Sequence, residues 1–172
     1  MDPSQVQAPT VQVLDRDLIE RTLARARTSE RRRVNHNFHS GPRDNPHRFL
    51  NAMLRGSYIT PHRHLVPPKS ETFLVLHGTV VVFVFDDSGG LTARHVLGEH
   101  RVLAVDIAPG VWHSVAALSD EAVCLEVKPG PWDPALDKEF APWAPREGHP
   151  DAATFLRRLM ATASGQNVVR TW

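Results

Sequence analysis

The residues with the most chemical potential lie between Gly56 and Gly78, in the stretch GSYITPHRHLVPPKSETFLVLHG. His62 and His64 stand two positions apart, and Glu71 heads the apolar run that follows. On a β-strand, residues i and i+2 point to the same face. Both imidazoles can therefore converge on one point, and a carboxylate from the next strand can join them. Further on, Pro109-Gly110-Val111-Trp112-His113 offers a third imidazole just after a turn. Three nitrogens and one carboxylate oxygen make a donor set for a divalent metal, with positions left open for substrate. As ligands the histidines would bind as neutral imidazoles, their tautomers set by acceptors behind the rings. The expectation is one divalent ion (zinc, iron, manganese or nickel) held by His62, His64, Glu71 and His113 in a small β-barrel.

The surrounding chain reads as the scaffold such a site needs. From Asp15 to about Glu30, Leu18, Thr22 and Ala26 fall on one stripe with Ile19 and Leu23 beside it. Acids come early and arginines late, which predicts an amphipathic helix capped by Asp15. Arg31 to Arg33 read as a solvated, dipole-matched helix end rather than a phosphate site. Asn35, Asn37 and His39 would share one strand face, with His36 and Phe38 on the other. That polar face suits open water or a wet pocket equally. His47 to Leu54 reads as another strand. The strongest β signal runs from Thr72 to Phe85, broken by a turn at His77-Gly78 and closed by a hairpin at Asp87-Ser88-Gly89-Gly90. Short strands at 91–97, 102–107, 112–118 and 122–128 follow, a spacing that points to a sandwich or barrel. In the last of these, Cys124, Glu126 and Lys128 share one face, and Glu126 or Lys128 could act as acid or base.

Residues 129–150 hold six of the 14 prolines, which excludes helix and central strand. Trp132 and Trp143 argue for an ordered strap over the barrel. Its aromatic residues Trp132, Phe140 and Trp143 read first as packing groups and second as platforms for a sugar ring. A final helix is expected after Pro150, capped by Asp151 and turning Phe155, Leu156, Leu159 and Met160 inward. His77 is placed at a turn, and His95, His100 and His149 in solvated loops. Residues 1–13 read as a loose tail, and the last residues from Gln166 carry no assignment.

With 172 residues the chain suits a single full domain, and a net charge of +1 calls for neither nucleic acid nor an anionic membrane. The single cysteine, Cys124, excludes an internal disulfide and suits a reducing compartment. No apolar run is long enough for a leader or a membrane span. A soluble cytoplasmic protein is the expectation.

The pattern Gly56-x5-His62-x-His64…Glu71-x6-Gly78, followed by Pro109-Gly110-x2-His113, resembles the two motifs of the cupin superfamily. The resemblance implies a mainly β fold, the double-stranded β-helix or jelly-roll barrel, with an N-terminal and a C-terminal α-helix added here. It maps the four donors named above onto the family's ligand positions. The interval from His64 to Glu71 is longer than the family's usual one. Pro67-Pro68 cannot lie in a strand ladder, so the extra residues read as a loop. Asn35-His36-Asn37-Phe38-His39, Arg48-Phe49-Leu50-Asn51, Ser57-Tyr58-Ile59, Lys128-Pro129-Gly130-Pro131-Trp132 and the strap around Asp137-Lys138-Glu139-Phe140 extend the likeness over about residues 30–147. There the chain is similar to the WbuC-type cupin-fold metalloproteins, found among genes for bacterial O-antigen synthesis.

With the elements read above, three parts are expected: a tail and helix over 1–30, the barrel over 31–128, and a strap and helix over 129–172. The resemblance adds Asn35, Asn37, His39, Asn51 and Arg63 as candidate substrate contacts, and Tyr58 beside Glu126 and Lys128 as a candidate catalytic group. It implies a sugar-related role without supplying a reaction; the four-ligand set and the polar strand faces suggest isomerisation or epimerisation of a sugar or nucleotide-sugar. Dioxygen chemistry at iron, or sugar binding without turnover, are the alternatives. By analogy with other jelly rolls a homodimer is expected.

Overall fold

The computed structural model describes residues 11–98 and 102–168. The expected tail over the first ten residues, His100 and the last four residues lie outside that range. Helix α1 covers Arg16–Arg27, with Asp17 in its first turn and Arg25 and Arg27 in its last. Asp15 caps it from extended backbone, accepting the Leu18 N–H at 2.8 Å. Leu18, Thr22, Leu23 and Ala26 are buried, which is the stripe read from the sequence. The helix stops short of Glu30, and Arg31 to Arg33 are not its end. Arg32 takes a φ of 56°, turning the chain into strand β1 (Arg33–Asn37). Arg31 and Arg33 bind Glu147 on the strap and clamp two segments together, Arg33 withdrawn from water and Arg31 still largely exposed.

Among the described residues, ten strands form two five-stranded sheets. One has the order β1, β2 (His47–Leu54), β9 (Glu121–Lys128), β4 (Glu71–His77), β7 (Ala104–Ile107). The other runs β10 (Glu139–Phe140), β3 (His62–Arg63), β8 (Trp112–Ala117), β5 (Thr79–Phe85), β6 (Leu91–Gly98). All strand pairs within these sheets are antiparallel, and most neighbours in a sheet are distant in sequence, as in a jelly roll. Gly78 makes the β4–β5 turn at a φ of 72°, and a Cβ there would collide with the Glu121 carbonyl oxygen.

Three apolar clusters explain why several strands read as continuous hydrophobic runs. Between the sheets pack Met53, Ile59, Phe73, Val75, Val82 and Val115. Helix α1 covers the outer face of the first sheet through Leu50, Ala52 and Val123. Helix α2 (Ala152–Ala161) covers the second through Val81, Phe83, Phe155 and Leu159. A sheet buried on both faces cannot alternate apolar with polar residues. Hence β5 reads TVVVFVF, while β4 alternates buried and half-buried residues as far as Leu76 and ends on exposed His77.

Along the first sheet the inward residues change character. Met53, Ala122, Cys124 and Val75 fill one end of the barrel, whereas His47, Asn51, Glu126, Lys128 and Glu71 line the other. A polar pocket at one mouth is thus written into successive i, i+2 steps of β2, β4 and β9. Two details depart from the sequence reading. His95 lies within β6, exposed on its surface, not in a loop. Asp151 occupies the N-cap of α2 but makes no side-chain capping bond, its backbone N–H going to His149 Nδ1.

Leu50 is fully buried beneath α1. Leu50→Ala should cost about 3 kcal/mol through lost transfer energy and the cavity left behind. Thermal unfolding should show this as a drop of roughly 6–12 °C.

Candidate metal centre

Strand β3 contributes only His62 and Arg63, yet it is pinned on both sides. His62 lies opposite His113 of β8 and opposite Phe140 of β10. His64 follows directly, and its carbonyl accepts the Gly110 N–H at 3.0 Å. Gly110 has a φ of 79°, so the Pro109-Gly110 turn can bend back to make that bond and deliver His113 beside His62. Glu71, the first residue of β4, reaches in from the other sheet. The result is one cluster of His62, His64, Glu71 and His113, whose donor atoms all lie within 4.8 Å of one another. All four side chains are buried.

The hydrogen bonds behind the rings decide what this cluster can hold. His62 Nδ1 meets the Thr60 carbonyl at 3.0 Å, His113 Nδ1 meets the Val111 carbonyl at 2.9 Å, and His64 Nδ1 meets the Asp137 carbonyl. A carbonyl oxygen only accepts, so each Nδ1 carries the proton and each Nε2 presents a lone pair to the centre. His113 Nε2 and Glu71 Oε2 then face each other at 2.9 Å, and His64 Nε2 stands 3.4 Å from the same oxygen. His62 Nε2, His64 Nε2 and Glu71 Oε1 are buried without a hydrogen-bond partner. Such an assembly of acceptors is costly unless a cation joins it. Donors at adjacent positions of one ion, each about 2.1 Å from it, stand about 3 Å apart, which these spacings match. The four residues could hold a divalent metal ion.

Burial disfavours a charged His62, as do nearby Lys138 and His113, and its pKa lies well below the ordinary histidine value. For Glu71, burial works against the charge, but the close approach of His113 and His64 and the charge of Lys128 outweigh it and hold its pKa well down. Lys128 Nζ lies 3.5 Å from Glu71 Oε1, 3.9 Å from Glu126 Oε1 and 3.2 Å from Asp137 Oδ2. Burial would neutralise that ammonium, yet three carboxylates around it raise its pKa. Glu126 goes the other way: burial and the neighbouring Glu71 charge push its pKa well up. Asn51 Nδ2 donates to Glu126 Oε2 at 3.1 Å.

An inner chamber of about 150 Å³ adjoins the donors, with His62, Glu71, Asn51, Glu126, Lys128 and Asn35 among its walls. A wider cavity of about 500 Å³ is lined by Asn35, Asn37, His39, His47, Lys128 and Trp132 among others. The polar face Asn35, Asn37, His39 therefore borders a pocket. Tyr58 and Arg63 stand apart from both spaces. The Tyr58 ring packs on Phe155 and its hydroxyl donates to the Pro145 carbonyl at 2.8 Å. Arg63 points away from its neighbours His62 and His64, as strand alternation requires. It pairs with Glu139 at 2.8 Å and lies over the Trp112 ring.

Sequence reading missed Asp137 and Lys69. The Asp137 carboxylate binds buried Lys69 at 3.0 Å and Lys128, while its carbonyl orients His64. Lys69 sits in the long loop between His64 and Glu71, so the extra residues there anchor the strap. Nothing in the local sequence places Asp137 near that loop. His47 could have been found, because it shares the inward face of β2 with Asn51.

None of the curated proteins matches the sequence. A family described as a domain of unknown function, DUF6016, matches residues 14–97. Among solved structures, the capsular polysaccharide assembling protein CapF from Staphylococcus aureus is similar at 21% identity and a TM-score of 0.52. The match covers 63% of this chain but only 31% of CapF. The protein TT1209 from Thermus thermophilus is similar at 21% identity and a TM-score of 0.52, with 70% of this chain and 98% of that one covered. At these identities the likeness concerns fold alone. Together with the strand order it makes this chain a cupin-fold protein, a jelly roll carrying one helix before and one after the barrel. Among the described residues no helix is long and apolar enough to cross a membrane.

A buried imidazole with a depressed pKa binds a proton more readily when unfolded, so its contribution to stability is present above about pH 6.5 and lost as pH falls. Protein held in chelator should therefore lose thermal stability between about pH 7 and pH 5. His62→Asn should flatten that slope. Added zinc or manganese at neutral pH should raise the melting temperature of the wild type, and His64→Ala should abolish the rise.

Proposed function

We propose that this protein is a metal-dependent enzyme that isomerises or epimerises a sugar or nucleotide-sugar during synthesis of a bacterial surface polysaccharide. The observation that carries the reading is the position of Glu126 and Lys128. Both enter the inner chamber from β9, beside the three-histidine, one-glutamate donor set. A divalent ion bound there would act as a Lewis acid, polarising a carbonyl or hydroxyl oxygen.

The chain's own groups supply the proton transfers. In its ionised form Glu126 takes a proton from the carbon next to the sugar carbonyl and returns it on the same face at the neighbouring carbon, while a hydroxyl proton passes between the two oxygens; in epimerisation the opposite face takes its proton from solvent instead. Asn51 holds Glu126 Oε2 at 3.1 Å and fixes the direction of attack. Lys128 faces the oxygen on which negative charge develops, and Asp137 and Glu71 keep it protonated. Strands β2 and β4 pair with β9 on either side of Glu126, opposite Phe49 and Phe73, so the base stands on a rigid support. The likeness to CapF, a capsular polysaccharide assembling protein, supports surface polysaccharide as the setting.

Incubation of the metal-loaded protein with aldoses, ketoses and nucleotide-sugars in deuterium oxide tests the reading. Proton NMR should show deuterium entering beside the carbonyl, and Glu126→Gln should slow this by at least about a hundredfold while metal content is unchanged. Exchange that persists in Glu126→Gln, or its absence from every wild-type reaction, would contradict the assignment.

A further inference from the structure

The two spaces at the barrel mouth differ in size and chemistry. The inner chamber, about 150 Å³, is smaller than an ordinary small-molecule site of about 300–1,000 Å³, whereas the outer cavity, about 500 Å³, falls within that range. They share Asn35, Phe49, Lys128 and Trp132 as walls, so one ligand can occupy both. The inner space admits a reacting end, and the outer space must take the rest.

The outer walls indicate what that rest is. Asn35 and Asn37 lie two apart on β1, exposed, and their amides make no hydrogen bond within the described residues. Each amide offers both donors and an acceptor, which suits vicinal hydroxyls. Trp132 is 44% exposed and makes no contact with another aromatic ring among the described residues, unlike Trp143, which packs against Phe85 and Trp112. An exposed indole face beside free amides is a surface for a sugar ring.

Charge argues against a phosphate there. Among the described residues lining the outer cavity there is no arginine, and Lys128 is the single lysine, already held by Asp137 and Glu71. Neither helix begins in that wall, so no helix N-terminus is available for an anion. Besides that lysine a diphosphate would meet only the rings of His39 and His47, and burial disfavours the charged form of His47.

We infer that the substrate is an uncharged glycan of disaccharide size or longer, its reacting sugar in the inner chamber and its second ring stacked on Trp132 and hydrogen-bonded to Asn35 and Asn37. This rests on the sugar-directed reading above and narrows it, excluding nucleotide-sugars. The substrate would come from a glycosyl-transfer or glycan-cleaving step rather than from nucleotide activation.

Calorimetric titration of metal-loaded protein with β-linked disaccharides, their component monosaccharides and UDP-N-acetylglucosamine tests the inference. At least one disaccharide should bind about tenfold more tightly than its monosaccharide. Trp132→Ala should erase that preference, Trp132→Phe should keep most of it, and metal content should be unchanged in both. Equal affinities, a preference that survives Trp132→Ala, tightest binding of the nucleotide-sugar, or no sugar binding would overturn it. Because binding is read without turnover, disaccharide preference in the absence of deuterium exchange would leave the subsite standing and remove only the isomerase reading.

Discussion

Four buried groups point their acceptor atoms at one another, an arrangement that costs free energy unless a positive charge joins them, and the barrel mouth is built around that constraint. Each histidine gives its Nδ1 proton to a main-chain carbonyl, of Thr60, Val111 or Asp137. Those three bonds commit every Nε2 to the centre, where Glu71 adds its carboxylate. A carbonyl does not titrate, so the tautomers are set by the backbone just before β3 and β8 and in the strap rather than by other side chains.

The same constraint ties the strap to the site. Asp137 contributes its carbonyl to His64 and its carboxylate to Lys69 and Lys128. One residue thus couples strap position, a metal-site imidazole and the chamber's lysine. The buried charges are acceptable because each has partners: Lys128 among three carboxylates, Lys69 between Asp137 and the Pro131 carbonyl. At the outer edge Arg31 and Arg33 fasten the strap a second time through Glu147. The wall that closes the chamber is held by ionic contacts at both ends.

Much of this was legible in the chain itself, and the reasons differ by residue. His62 and His64 are two apart, so strand periodicity brings that pair to one face, while Glu71 and His113, each after a turn, join them from two other strands. Glu126 and Lys128 follow from the same i, i+2 rule applied to β9. Asn35, Asn37 and His39 were readable as a face but not as a pocket wall, since a polar strand face meets water in either case. Tyr58 and Arg63 show the limit. Tyr58 is a core residue whose hydroxyl found the Pro145 carbonyl, and Arg63 has the face opposite its histidine neighbours. Arg31 to Arg33 looked like a helix end because local charge cannot reveal a partner as remote as Glu147. Asp137 was beyond sequence reasoning for the same reason, its partners being fixed only by how the strap crosses the barrel.

The most direct test of the metal centre is elemental analysis by plasma mass spectrometry of protein purified without chelator or added metal, beside the His62→Ala variant. About one equivalent of a divalent transition metal in the wild type, and its loss in the variant with the fold retained, is the expected result. A wild type free of metal, or a variant that keeps it, would contradict the centre and leave the four side chains as a polar pocket.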